Sequence, residues 1–180
     1  SLAAYYGGWV DTVISRIMEI FAAFPDLIFA MAIMTFMGKG VLNLFIALGL
    51  LTWVRTARMI RGSVMQLKEK EYVEAARACG ASTYWIIMKE LVPNCLSTII
   101  VLVTLGIPNA IMYEASLSFL GIGIQPPTPS WGNMISAAQT FISYRPVYSI
   151  MPGVAIMITV IAFNIFGDGL RDALDPKLRS

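Results

Sequence analysis

The sequence predicts an all-α fold, a polytopic bundle of transmembrane helices. Two observations carry this. Hydrophobic residues make up 57% of the chain and charged residues only 13%, against about a quarter charged in a soluble domain. The charges are also clustered: none lies between Glu90 and Glu114, between Glu114 and Arg145, or between Arg145 and Asp168. Uncharged apolar stretches of about 20 residues are long enough to cross the hydrocarbon core. A chain of 180 residues is too short to bury several of them in a soluble interior. In lipid the backbone must satisfy its own hydrogen bonds, so the spans are helices.

Four spans are drawn within a single domain, 1–180. The first covers 11–37, with Pro25 expected to kink it or loosen its backbone ladder. Gly38-Lys39-Gly40 reads as a tight turn. The second covers 41–56 and is short before Arg55, whose side chain can snorkel to the interface. Residues 57–92 form a polar, largely helical loop. The third span, 93–119, opens on Pro93, a residue suited to the first helical position, and is interrupted by Pro108. Residues 121–146 are a Gly/Pro-rich loop containing Gln125-Pro126-Pro127-Thr128-Pro129, and Trp131 to Tyr144 reads as a short amphipathic helix at the membrane surface. The fourth span covers 147–166 and contains Pro152. There is no internal repeat.

Positive residues orient the bundle. The segment 55–92 holds Arg55, Arg58, Arg61, Lys68, Lys70, Arg77 and Lys89, and the tail holds Arg171, Lys177 and Arg179. The other side has only Lys39 and Arg145, while Arg16 lies near the start of the first span. The positive-inside rule places the 57–92 loop and both chain ends in the cytoplasm and 121–146 in the periplasm. Four spans keep both ends on one side.

Several function classes drop out. The chain has no histidine, which removes Ser-His and Cys-His dyads and the H-E-x-x-H zinc site. An intramembrane enzyme with Ser116 or Ser118 as nucleophile would lack the usual base. No G-x-x-x-x-G-K-[ST] loop is present, so ATP hydrolysis by this chain is not expected. Cys79 and Cys95 form no C-x-x-C pair. The 11 methionines show no cluster and read as lipid-facing or adaptable packing, not as a metal site. No cofactor and no nucleic-acid partner is expected.

The loop 57–92 carries the densest pattern. Residues 69 to 79 are good helix formers, and Tyr72, Ala75, Ala76 and Cys79 share a face by their spacing. Glu74 and Arg77 can pair at i, i+3 on the flank. Gly80 suits a left-handed helix end, and Ser82 suits an N-cap for a second helix from Thr83 to Leu91. The expected result is a helix–turn–helix under the membrane with a flat face of small residues. Such a unit either pads the surface or docks a partner.

The run Glu74-Ala75-Ala76, then Arg77 and two further residues, Gly80, and Pro93 thirteen positions on, is similar to the EAA motif of ABC importer permeases. Where that motif has Ile and Leu before its proline, this chain has Glu90 and Val92. The blocks Ala115 to Gly121, Gln125 to Met134, and Phe163-Asn164 with Gly167 to Pro176 resemble the dipeptide, oligopeptide and nickel branch. The likeness covers essentially the whole chain. It implies a permease of the type I ABC importer kind with a second permease subunit, two ATPase subunits and a solute-binding protein as partners. It also implies that the motif docks the ATPase, that such permeases have six spans, and that further spans precede this chain. An ion-gradient-driven secondary transporter is the rival, since Pro- and Gly-interrupted spans with intramembrane acids fit it.

Three acids fall in the spans, where ionisable groups are costly. Glu19 can pair with Arg16 three residues earlier. Glu114 lies close to the outer end of its span, with a structural role and a vestibule role both open. Asp26, deepest and beside Pro25, is the best candidate for a pathway or gate residue, with packing against a partner permease as its rival.

Overall fold

The computed structural model describes residues 8–174. Lys177 and Arg179 of the tail, and Asp175-Pro176 of the last sequence block, lie outside the described residues. The described residues form helices α1 (Gly8–Ala22), α2 (Asp26–Met37), α3 (Val41–Leu67), α4 (Glu71–Ala78), α5 (Thr83–Phe119), α6 (Trp131–Ala138) and α7 (Val147–Leu174). A 3₁₀ turn, Gln139–Phe141, follows α6, and no strand occurs among the described residues. At 1.5 Å per residue α3, α5 and α7 are about 40, 55 and 42 Å long. Each exceeds the roughly 30 Å hydrocarbon core.

The expected single span over 11–37 is two helices. Pro25 does not kink a continuous helix: it sits at the N-cap of α2 with φ −59° and ψ 126°, an extended conformation. Proline disfavours helical backbone at the residue before it, so α1 ends at Ala22 and the chain restarts at Asp26. Neither helix is long enough to cross alone, and the pair reaches the length of a fourth span only when taken together.

The second and fourth spans run past their expected ends, to Leu67 and Leu174. Arginines are good helix formers, so the helix has no reason to stop where hydropathy falls. The third span departs most. A separate helix from Thr83 to Leu91 and a new start at Pro93 were expected, but the chain is helical without a break from Thr83 to Phe119. Residues Ile86–Leu91 form a π turn, and the Val92 N–H donates to the Ile87 carbonyl. A proline inside an α-helix clashes with the carbonyl four residues earlier, and a wider turn just before it relieves that contact. The Asn94 amide donates to the Glu90 carbonyl at 2.6 Å. The helix also runs through the buried Pro108 instead of being interrupted there.

The described residues divide into two compact units. The first comprises 8–23, 53–103 and 169–174. Its core is Val64, Val73, Ile86, Ile87, Leu91 and Cys95, with Ile60, Leu67 and Ala76 packed against it. Residues 87, 91 and 95 repeat every four positions, so one stripe of α5 faces α4 and the end of α3. Asp11 and Arg61 join α1 to α3: the guanidinium donates to both carboxylate oxygens, at 2.7 and 2.5 Å. Two parallel bonds of this kind fix orientation as well as charge.

The second unit comprises 24–52 and 104–168. Its core is Ala30 and Met34 of α2, Leu44, Ala47, Leu48 and Leu51 of α3, and Leu117 of α5. The α3 positions follow the i, i+3, i+4, i+7 pattern of one helix face. The end of α5 is closed by Gly121 at φ 77°: its N–H donates to Ser118 and the Ile122 N–H to Leu117, both at 3.0 Å. This is the Schellman arrangement, with Ile122 packed on the core beside Leu117.

Candidate functional site

The EAA-like residues lie on α4 and the turn after it. Val73 is fully buried and Ala76 half-buried, while Tyr72, Ala75, Ala78 and Cys79 are exposed. The expected common face of Tyr72, Ala75, Ala76 and Cys79 is therefore divided. Val73 and Ala76, three residues apart, anchor the helix to the core of the first unit, and burial of such a valine contributes roughly 1.5–3 kcal/mol. Tyr72, Ala75 and Cys79 are left on the outer side, flanked by the exposed Glu74 and Arg77. Partial burial, with the Glu90 carboxylate as a lesser cause, pushes the Tyr72 phenol above its ordinary value, so it stays a neutral hydroxyl.

The turn has the geometry expected of it. Gly80 adopts φ 81°. Its N–H donates to the Arg77 carbonyl at 3.0 Å and the Ala81 N–H to the Ala76 carbonyl at 3.0 Å, a second Schellman end. The Ser82 hydroxyl accepts from the Trp85 N–H at 3.3 Å and caps α5. Pro93 lies about three turns further along α5 and is exposed, and Val92 packs against the core of the first unit. Glu90 and Val92, the two departures from the motif, lie at the π turn and the residue after it.

The three acids are not one cluster. Glu19 pairs with Arg16 at 2.6 Å with both side chains well exposed. Asp26 and Glu114 belong to the second unit. Asp26 is half-buried, and its Oδ2 accepts from the Tyr113 hydroxyl at 2.7 Å. Glu114 is half-buried, and its Oε1 accepts from the Ser118 hydroxyl at 2.7 Å. Ser118 in turn accepts from the Ile124 N–H at 3.0 Å. Glu114 lines an open pocket of about 340 Å³ together with Ile124, Pro129, Ser130, Trp131 and Met134. Sequence reading did not find Tyr113 as the partner of Asp26, because 87 positions separate them. The Glu114–Ser118 pair was available from its i, i+4 spacing.

Among the described residues, long apolar helices with no strand, joined by a capped polar helix–turn–helix, define a multi-pass membrane protein. The family model for the binding-protein-dependent transport system inner membrane component matches residues 1–180, and the chain belongs to that family. It is 44% identical over 179 residues to the glutathione transport system permease protein GsiD of Pectobacterium atrosepticum, covering 99% of this chain and 60% of that protein. It is 43% identical to the proteins of the same name from Escherichia coli O6:K15:H31 and Shigella boydii, covering 97% of this chain and 58% of each. The chain thus spans about three fifths of the length of these relatives. The resemblance read from the 74–93 motif and the three later blocks agrees with this family.

Proposed function

We propose that this chain is the transmembrane permease subunit of an ATP-driven importer of peptide-like solutes. The observation that carries the reading is α4 with its turn. The unit is fixed from inside by Val73, closed at Gly80 and recapped at Ser82, and it presents Tyr72 with the small Ala75, Ala78 and Cys79 outward. Small residues let a partner backbone approach closely, which suits docking into a groove of an ATPase subunit. The loop 57–92 and the C-terminus then face the cytoplasm, in keeping with their arginines and lysines.

The mechanism is alternating access. Nucleotide closes a pair of ATPase subunits, and α4 moves with the groove that holds it. Val73 and Ala76 pass that displacement to Ile86, Ile87 and Leu91 of α5 and to Val64 of α3, since a close-packed core transmits strain. A second permease subunit completes the pathway, and a solute-binding protein delivers the cargo. Asp26 and Glu114 stand on or beside the pathway, whereas Glu19 is engaged by Arg16. Glutathione, the solute named for the relatives, is itself a peptide, which favours di- and oligopeptides over a metal ion such as nickel. An ion-gradient carrier leaves the outward face of α4 without a use.

The test is reconstitution with the partner subunits in proteoliposomes. Uptake should require ATP and this chain together, and the purified chain alone should hydrolyse no nucleotide. ATP turnover by the chain alone, or uptake driven by an ion gradient without the ATPase, would contradict the assignment.

A further inference from the structure

We propose that the pocket beside Glu114 receives a primary ammonium group, the amino end of a peptide-like solute; this rests on the permease reading above. The pocket holds one charge. Its other walls are Ile124, Pro129, Ser130, Trp131 and Met134. The second unit contains only two basic residues, Lys39 and Arg145, and neither lines the pocket. A half-buried carboxylate among largely apolar walls, with no basic residue of the second unit lining its pocket, suits a cation from outside.

The carboxylate is held in place. Ser118 is 1% exposed, and its hydroxyl is committed twice, donating to Glu114 Oε1 and accepting from the Ile124 N–H. Glu114 Oε2 has no hydrogen-bond partner among the described residues. The wall behind it is tight: a Cβ at Gly123 would lie 2.6 Å from both the Ser118 nitrogen and its hydroxyl oxygen, and one at Gly132 would lie 2.8 Å from the Ser118 Cβ. A fixed acceptor with one uncommitted oxygen loses little freedom on binding.

The class of cation follows from the donor set. A divalent ion is held firmly by several protein oxygens or by carboxylates together with substrate phosphates, and the pocket offers one carboxylate, Glu114, and Ser130, whose hydroxyl already accepts from the Asn133 N–H at 3.1 Å. A guanidinium binds best when both carboxylate oxygens are available, and here Ser118 occupies one. An ammonium needs a single strong acceptor and gains from an aromatic ring beside it, which Trp131 supplies. A pocket of this size takes one end of a small peptide.

The complete transporter in nanodiscs, without nucleotide, is titrated with glycylglycine amide and with its neutral N-acetyl form, and dissociation constants are read by saturation-transfer NMR. The wild type should bind the ammonium form at least about tenfold more tightly, the worth of one charge-assisted hydrogen bond. Glu114→Gln should bring the two within about twofold. Met134→Lys keeps the carboxylate but tethers an ammonium in the pocket, and should lose the preference in the same way. Equal binding of both probes by the wild type, or a preference that survives both variants, overturns the proposal. So does competitive displacement of the probe by millimolar Mg²⁺ or Ni²⁺ from the wild type but not from Glu114→Gln, which would make the pocket a metal site. ATP-driven uptake is scored separately. Probe discrimination without uptake overturns the permease reading alone, and uptake without discrimination overturns the ammonium pocket alone.

Discussion

Gly80→Val isolates the backbone of the turn. Gly80 sits at φ 81°, and a Cβ built there meets nothing within 4 Å. The substitution therefore creates no clash with a neighbour, and its cost is conformational. A non-glycine residue in the left-handed region pays about 1–2 kcal/mol, with β-branched residues at the upper end. That shifts the local opening equilibrium by a factor of about 5–30. The two bonds that close the turn, from Gly80 to Arg77 and from Ala81 to Ala76, depend on this φ. Amide exchange at Ala81, followed by mass spectrometry in nanodiscs, should accelerate by that factor. Gly80→Asn, a residue that tolerates positive φ, should change exchange little, and Gly80→Ala should fall between. Membrane insertion should be unaffected, while transport falls in the same order. If Asn disrupts the turn as much as Val, or Val leaves exchange unchanged, the argument from φ is refuted.

Two further predictions concern the second unit. A Cβ at Gly132 would fall inside contact distance of the Ala115 carbonyl and 2.8 Å from the Ser118 Cβ, neither of them a flexible chain end. Gly132→Ala should cost about 1–3 kcal/mol and lower the thermal unfolding midpoint in detergent. Gly106→Ala, with nothing within 4 Å, should not, and equal midpoints would refute the packing argument. Asp26→Asn removes a charge but keeps an oxygen for the Tyr113 hydroxyl, whereas Tyr113→Phe removes that bond and keeps the charge. A pathway role for Asp26 requires Asp26→Asn to lower uptake while assembly and ATP hydrolysis persist. Normal uptake in Asp26→Asn, with lost assembly in Tyr113→Phe, would make the pair structural.

Features that depend on a few neighbouring residues were legible in the sequence. The left-handed Gly80 and the Ser82 cap follow from local backbone chemistry, and the apolar spans follow from where the charges fall. Pro25 marks where the helical ladder is interrupted, but proline ends a helix as readily as it bends one, and neighbouring packing decides which. The π turn at Ile86–Leu91 left no signal of its own: a proline at position 93 suits a helix start and a widened helix interior equally. The burial of Val73 is not legible, because spacing alone cannot say which side of a short helix has a core to meet. The Asp11–Arg61 and Asp26–Tyr113 contacts join residues 50 and 87 positions apart, and no local pattern predicts them. Glu114 was recognised as a candidate, but its pocket needs the turn at Gly121 and the return of the chain through Trp131.

Cys79 offers the most direct test of the docking role. It is exposed at the end of α4, whereas Cys95, the other cysteine, is 2% exposed in the core of the first unit. In the assembled complex, with single cysteines placed along the ATPase groove, a short bismaleimide should join Cys79 to the ATPase subunit, and adding nucleotide should change the yield. Absence of any crosslink at every groove position, or labelling of Cys79 by an impermeant maleimide only from the periplasmic side, would contradict the account.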